Sequence, residues 1–158
     1  MNSNKGFTLI ELLVVVAIIG ILSTIVITNL SSSRDGANDA VVKANLSSIR
    51  NQAEVYYNGP GNSSYGAPLV LTADCKAGAG TSMFGADATI LNAITAAQVA
   101  NGDNAVSCIS EGSDTAANKW AVMSPLRTSD TNGNWCVDST GYAGTAGQIT
   151  NAKCEAAA

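Results

Sequence analysis

Lys5-Gly6-Phe7-Thr8-Leu9-Ile10-Glu11-Leu12-Leu13-Val14-Val15-Val16-Ala17-Ile18-Ile19-Gly20-Ile21-Leu22 is the stretch on which the reading of this chain turns. No charged residue occurs from Leu12 to Leu30. At the helical rise of about 1.5 Å per residue those positions span about 28 Å, close to the thickness of a bilayer's hydrocarbon core. The centre of the run is apolar all round, which suits lipid or other apolar helices and not a helix with one face in water. A secretory signal peptide has a similar composition. Here, however, the run continues into Ser23-Thr24-Ile25-Val26-Ile27 with no small-x-small cleavage site and break. Glu11 stands at the head of the run, where an unpaired carboxylate is costly, and such a residue points to function.

The same stretch resembles the class III leader and N-terminal helix of type IV pilins and their relatives, the type II secretion and competence pseudopilins. The match is nearly residue for residue over that stretch and strong over about the first thirty residues, and further along the chain the likeness is architectural. The resemblance implies a leader, residues 1–6, cut between Gly6 and Phe7 by a prepilin peptidase in the membrane. It also implies N-methylation of the new Phe7 terminus and retention of the apolar helix in the mature chain. For Glu11 it implies an assembly role. The carboxylate of one subunit would neutralise the cationic Phe7 amine of a neighbour inside a low-dielectric filament core, setting subunit register. A plainer reading leaves Glu11 at headgroup level, favoured by the helix dipole or meeting the amine of its own chain. Many family members carry a helix-kinking proline in the stretch matching Ile27-Thr28-Asn29-Leu30, whereas this chain has no proline before Pro60. A kink here would have to come from the polar cluster Thr28 to Ser33.

Past the apolar run, Val42, Leu46, Ile49, Ala53 and Tyr56 recur at spacings of four and three, so Arg34 to Tyr57 reads as an amphipathic continuation of the helix. Its other face is polar, with Lys43, Asn45, Ser47, Ser48, Arg50, Asn51 and Gln52. Asn58-Gly59-Pro60-Gly61 supplies a stop. A helix from Phe7 to Tyr57 would be roughly 75 Å long, more than a compact globule of this size can hold, so half of it is expected to protrude. Gly20 and Gly36 each weaken strict continuity by about 1 kcal/mol against alanine. The divisions expected are therefore leader 1–6, membrane and filament-core helix 7–33, amphipathic half 34–57, and head 58–158.

The head is rich in Gly, Ser, Thr, Ala, Asn and Asp. Residues 58–85 read as an irregular loop. Asp87-Ala88-Thr89 caps a short helix through Ile90, Leu91, Ile94 and Ala97, ended by Asn101-Gly102. Strand candidates follow at Ala105–Ile109, Lys119–Met123 and Trp135–Asp138. They would form a small antiparallel sheet on the amphipathic half of the long helix, an α+β, pilin-like fold with Trp120 and Trp135 in its core.

Composition removes most other classes. With 158 residues, 46% hydrophobic and 13% charged, the chain makes one modest domain plus an extra segment. Its net charge of -4 leaves no basic face for a phosphate backbone, so no direct nucleic-acid binding is expected. The lack of any histidine removes His-based triads and His metal sites, and no nucleophile stands beside a base. The reading is not an enzyme, with no cofactor and no metal. Asp130-Thr131-Asn132-Gly133-Asn134 and Asp138 offer oxygen ligands, but the glycine is misplaced for an EF-hand and no glutamate closes the loop. Cys75, Cys108, Cys136 and Cys154 make an even set without a CxxC motif, as expected of disulfides in an oxidising compartment. Cys75 with Cys108 and Cys136 with Cys154 is the pairing chosen, the second stapling the Gly-rich tail Ser139 to Lys153. Cys108 with Cys136 competes if their strands lie side by side.

The function expected is a structural subunit of a type IV pilus-like filament. It would be a single-pass precursor in the cytoplasmic membrane, then a homo-oligomer in a helical filament at the cell surface, working with the prepilin peptidase and the pilus or secretion assembly machinery. A type II secretion or competence pseudopilin is the alternative within the family. A membrane-anchored surface binding domain, using the loops Asn58 to Gly85, is the alternative from another class.

Overall fold

The computed structural model describes residues 6–78, 80–128 and 133–156. They fall into two compact units, Met1–Asp35 and Gly36–Ala158. Helix α1, Leu9–Asn58, runs unbroken through both Gly20 and Gly36 and through Thr28 to Ser33. A Cβ at either glycine would meet nothing within 4 Å, so neither position depends on glycine for space.

In the first unit α1 carries apolar side chains to the outside on every face from Leu9 to Ile25. Two hydroxyls turn onto the helix backbone. Ser23 Oγ donates to the Ile19 carbonyl at 2.7 Å and Thr24 Oγ1 to the Gly20 carbonyl at 3.0 Å, so neither asks for water. By length and composition α1 is the one helix among the described residues able to cross a membrane.

In the second unit α1 buries the expected stripe, Val42, Leu46, Ile49, Ala53 and Tyr56. The sheet beside it has the order β1-β2-β3-β4-β5 and is antiparallel throughout: β1 Leu69–Thr72, β2 Ser107–Ser113, β3 Ala116–Pro125, β4 Asn134–Asp138 and β5 Ala143–Ala146. Successive strand residues point to opposite faces, and here both faces are covered. Cys108, Trp120, Val122 and Val137 join the α1 stripe and the helix α4, Ala88–Ala100, in the main core. Ile109, Ala121 and Cys136 face the other way, onto a hairpin of β6 Gln148–Thr150 and β7 Lys153–Glu155, where Ile149 and Ala152 complete a second core.

Helix α4 begins where expected: the Asp87 carboxylate accepts from the N–H groups of Thr89 at 2.8 Å and Ile90 at 3.0 Å. One expectation is corrected. Residues 58–85 are not an irregular loop, since they form β1 and two single-turn helices, α2 Cys75–Gly78 and α3 Met83–Ala86. Buried Tyr65, Met83 and Phe84 drive this, with Phe84 set edge-on to Trp120 at a centroid distance of 6.4 Å. Trp135 packs against the edge of the main core. It is half-buried, with the Lys43 ammonium 5.0 Å from its ring centroid.

Cys75 is joined to Cys108 and Cys136 to Cys154. The competing Cys108–Cys136 pair is impossible in this sheet, because β3 lies between their strands and the two side chains sit in cores on opposite faces.

Candidate processing and assembly site

Gly6 and Phe7 precede the first helical turn and have no regular structure. Among the described residues nothing lies within 4 Å of a Cβ built on Gly6, and Phe7 is 87% exposed. Gly6 and Phe7 are thus exposed chain outside regular structure, the kind of segment at which proteolysis concentrates.

Thr8 is the residue that links this segment to the helix. Its backbone N–H and its hydroxyl both donate to Glu11 Oε2, each at 2.8 Å, and the Glu11 N–H donates to Thr8 Oγ1 at 3.3 Å. This reciprocal pair is a capping box, which satisfies orphan donors at the helix start and holds the carboxylate beside the residue that cleavage would make N-terminal. All three bonds fall on Oε2 or Thr8, so Oε1 accepts no hydrogen bond among the described residues. The arrangement does two things at once. It pins the Glu11 side chain to its own helix and leaves one carboxylate oxygen for an outside cation. Reading Glu11 for its charge alone missed Thr8, although the spacing Thr8-Leu9-Ile10-Glu11 before an apolar run is the sequence signature of such a cap.

Two further carboxylates are structural. Asp39, buried on α1, accepts from the N–H groups of Arg127 at 2.7 Å and Thr128 at 3.0 Å and from the Thr128 hydroxyl. Asp138 accepts on Oδ1 from the N–H of Thr140 at 2.8 Å, its hydroxyl at 2.7 Å and the N–H of Tyr142 at 3.2 Å, and on Oδ2 from the Cys154 N–H at 2.9 Å. Burial opposes ionisation of both, but these donors outweigh it, and each carboxyl is held below the usual aspartate value. Burial and the neighbouring Glu54 carboxylate, to which it donates at 2.9 Å, push the Tyr65 phenol up to about 12.

The polar flank of α1 is used in the same way. The Arg50 guanidinium donates to the Tyr142 carbonyl, and Gln52 Nε2 donates to Asp87 at 2.8 Å. Among the described residues no cluster of three or more Asp, Glu, Cys or His side chains could hold a metal ion. Asp130, Thr131 and Asn132 of the oxygen-rich turn lie outside the described residues.

Residues 1–27 match the family model described as the prokaryotic N-terminal methylation motif. Over its N-terminal third the chain is similar to type IV pilins and pseudopilins. It is 52% identical over 56 residues to the type IV wide pilus major component PilA4 of Thermus thermophilus, covering 35% of this chain and 43% of that pilin. It is also similar to the type II secretion system core protein G of Klebsiella michiganensis, 35% identical over 55 residues covering 35% of this chain and 39% of that protein. The Escherichia coli protein of the same description is 31% identical over 55 residues, covering 35% and 38%. The chain thus matches less than half the length of these pilin and pseudopilin relatives. No solved structure matches it.

Proposed function

We propose that this chain is the structural subunit of a type IV pilus-like filament. It enters the cytoplasmic membrane as a single-pass precursor through α1, is cut between Gly6 and Phe7 by a prepilin peptidase, and is methylated on the Phe7 amine. Copies then pack through their N-terminal helices into a helical filament at the cell surface. The observation that carries this is the first unit itself. Its helix is apolar on all faces, and its one acidic side chain before Asp35 is Glu11, held by Thr8 with one oxygen uncommitted. In lipid or in a helix bundle such a surface is buried at no polar cost, and small residues such as Ala17, Gly20 and Ser23 allow close approach. A bare carboxylate there would be costly, and the cationic amine of a neighbouring Phe7 would offset it.

The similarity to the secretion system's core protein G supports a second reading, a pseudopilin with the same processing and helix packing. The binding-domain reading is weaker, because Tyr65, Cys75, Met83 and Phe84 of the 58–85 segment turn into the core and serve packing.

Three variants in the producing cell, read by intact mass and electron microscopy, separate register from capping. Glu11→Ala removes both functions, Glu11→Gln removes the charge, and Thr8→Val removes the hydroxyl's share of the cap while the backbone N–H bond to Glu11 stays. All should be processed to a Phe7 terminus and accumulate in the membrane, and Thr8→Val alone should form filaments. Abundant filaments from Glu11→Ala and Glu11→Gln would sink the register role. Loss of filaments from Thr8→Val would make Glu11 a capping residue. Cell-surface filaments in the unaltered strain favour the pilus, and loss of exported protein without visible filaments favours the pseudopilus.

A further inference from the structure

The two disulfides differ in what stands between them and an external thiol. Cys75 and Cys108 are both fully buried in the main core, with Cys108 on an inner strand between β1 and β3 and the Cys75 N–H donating to the Val106 carbonyl at 2.8 Å. Neither cysteine of that pair presents surface to an external thiol. Cys136 is equally buried, but its partner Cys154 is half-buried on β7, which pairs only with the three-residue strand β6. The hairpin is held to the sheet by the small Ile149 and Ala152 contacts, the bond from Cys154 N–H to Asp138, and the disulfide itself.

We infer that Cys136–Cys154 is a site of thiol–disulfide exchange for a dithiol reductant acting on the folded head, reached by local opening of residues 147–156, while Cys75–Cys108 stays closed. A thiolate of the reductant attacks Cys154 Sγ, and Cys136 Sγ leaves with the bonding pair as a thiolate. The reductant's second thiolate then attacks its own sulfur in the mixed disulfide and releases Cys154 as a thiolate. Two electrons pass to the protein, each thiolate takes a proton from water, and the reductant ends as a disulfide. The direction of attack follows from access, since only Cys154 lies on the element that opens. Reduction frees the hairpin and uncovers the second sheet face at Ile109 and Ala121, with the main core intact. The inference does not depend on filament assembly.

The test is timed reduction of the full chain in non-ionic detergent by dithiothreitol without denaturant, with alkylation and peptide mapping. Cys136 and Cys154 should be alkylated about tenfold or more faster than Cys75 and Cys108, as expected where one bond opens locally and the other only with the core. Hydrogen exchange on the partly reduced protein should rise in 143–156 and stay unchanged in α4 and β2. Ile149→Ala should speed reduction of the Cys136–Cys154 bond and leave the other rate alone. Equal rates for the two bonds, earlier reduction of Cys75–Cys108, or an Ile149→Ala rate equal to the unaltered chain's would each overturn the inference.

Discussion

Replacing Leu46 with alanine tests whether α1 is the core of the head or only a stalk attached to it. Leu46 is 0% exposed on the α1 stripe, among the largest fully buried side chains. The substitution withdraws apolar carbons whose transfer out of water contributes about 2.4 kcal/mol, at about 0.8 kcal/mol for each. The remaining gap loses dispersion contacts as well, so the total should reach about 4 kcal/mol, inside the span of about 2.7 to 5.0 found for buried Leu→Ala changes. A small domain has only about 5 to 15 kcal/mol to lose. Val41, on the outer side of the helix, is 44% exposed, so Val41→Ala should stay within about 0.5 kcal/mol because helix propensity offsets the lost burial. The assay is urea unfolding of the full chain in non-ionic detergent, followed by the fluorescence of buried Trp120. Equal effects from the two variants, or a Leu46→Ala loss below about 1 kcal/mol, would refute the claim that this stripe closes the main core.

Two other perturbations follow from the same structure. Asp39 and Asp138 keep their carboxyls ionised to lower pH in the folded chain than in the unfolded one. Their stabilisation is therefore complete above the unfolded value of 3.8 and is lost as pH falls through the lower folded values. Acid unfolding should steepen below that point, and an Asp39→Asn, Asp138→Asn double variant should show a flatter pH dependence; an unchanged slope would exclude both groups as its source. Gly112→Ala should destabilise the β2–β3 hairpin by about 2 kcal/mol or more. The new Cβ would lie 2.1 Å from the Ala116 carbonyl oxygen and 2.8 Å from Ala117 Cα, at the register shift between Glu111 and Gly112. A thermal midpoint equal to the unaltered chain's would contradict that geometry.

The long helix was legible in the sequence because its information is local. An uncharged run followed by apolar residues at spacings of four and three reads directly as helix, and the Asn58-Gly59 stop closed it where expected. The cap at Asp87 was legible for the same reason. Glu11 stood out by its charge, while Thr8, which orients it, was passed over because a hydroxyl beside an apolar run draws no notice by composition.

Tertiary structure decided the rest. Ala143-Gly144-Thr145-Ala146 has weak strand preference of its own, and it is a strand because β4 offers it an unpaired edge. Asp138 looked like one more turn carboxylate, yet four donors from three residues converge on it and tie the tail to the last inner strand. The cysteine pairing depends on which sheet face each side chain takes, a matter of register between segments far apart in sequence. Loop lengths alone favour neither answer strongly, since the chain-entropy gain grows only with the logarithm of length: about 3.8 kcal/mol for Cys75–Cys108 and about 3.2 for Cys136–Cys154. Local pattern determines which segments become helix. Only the packed sheet, with a different core on each face, determines what the remaining residues do.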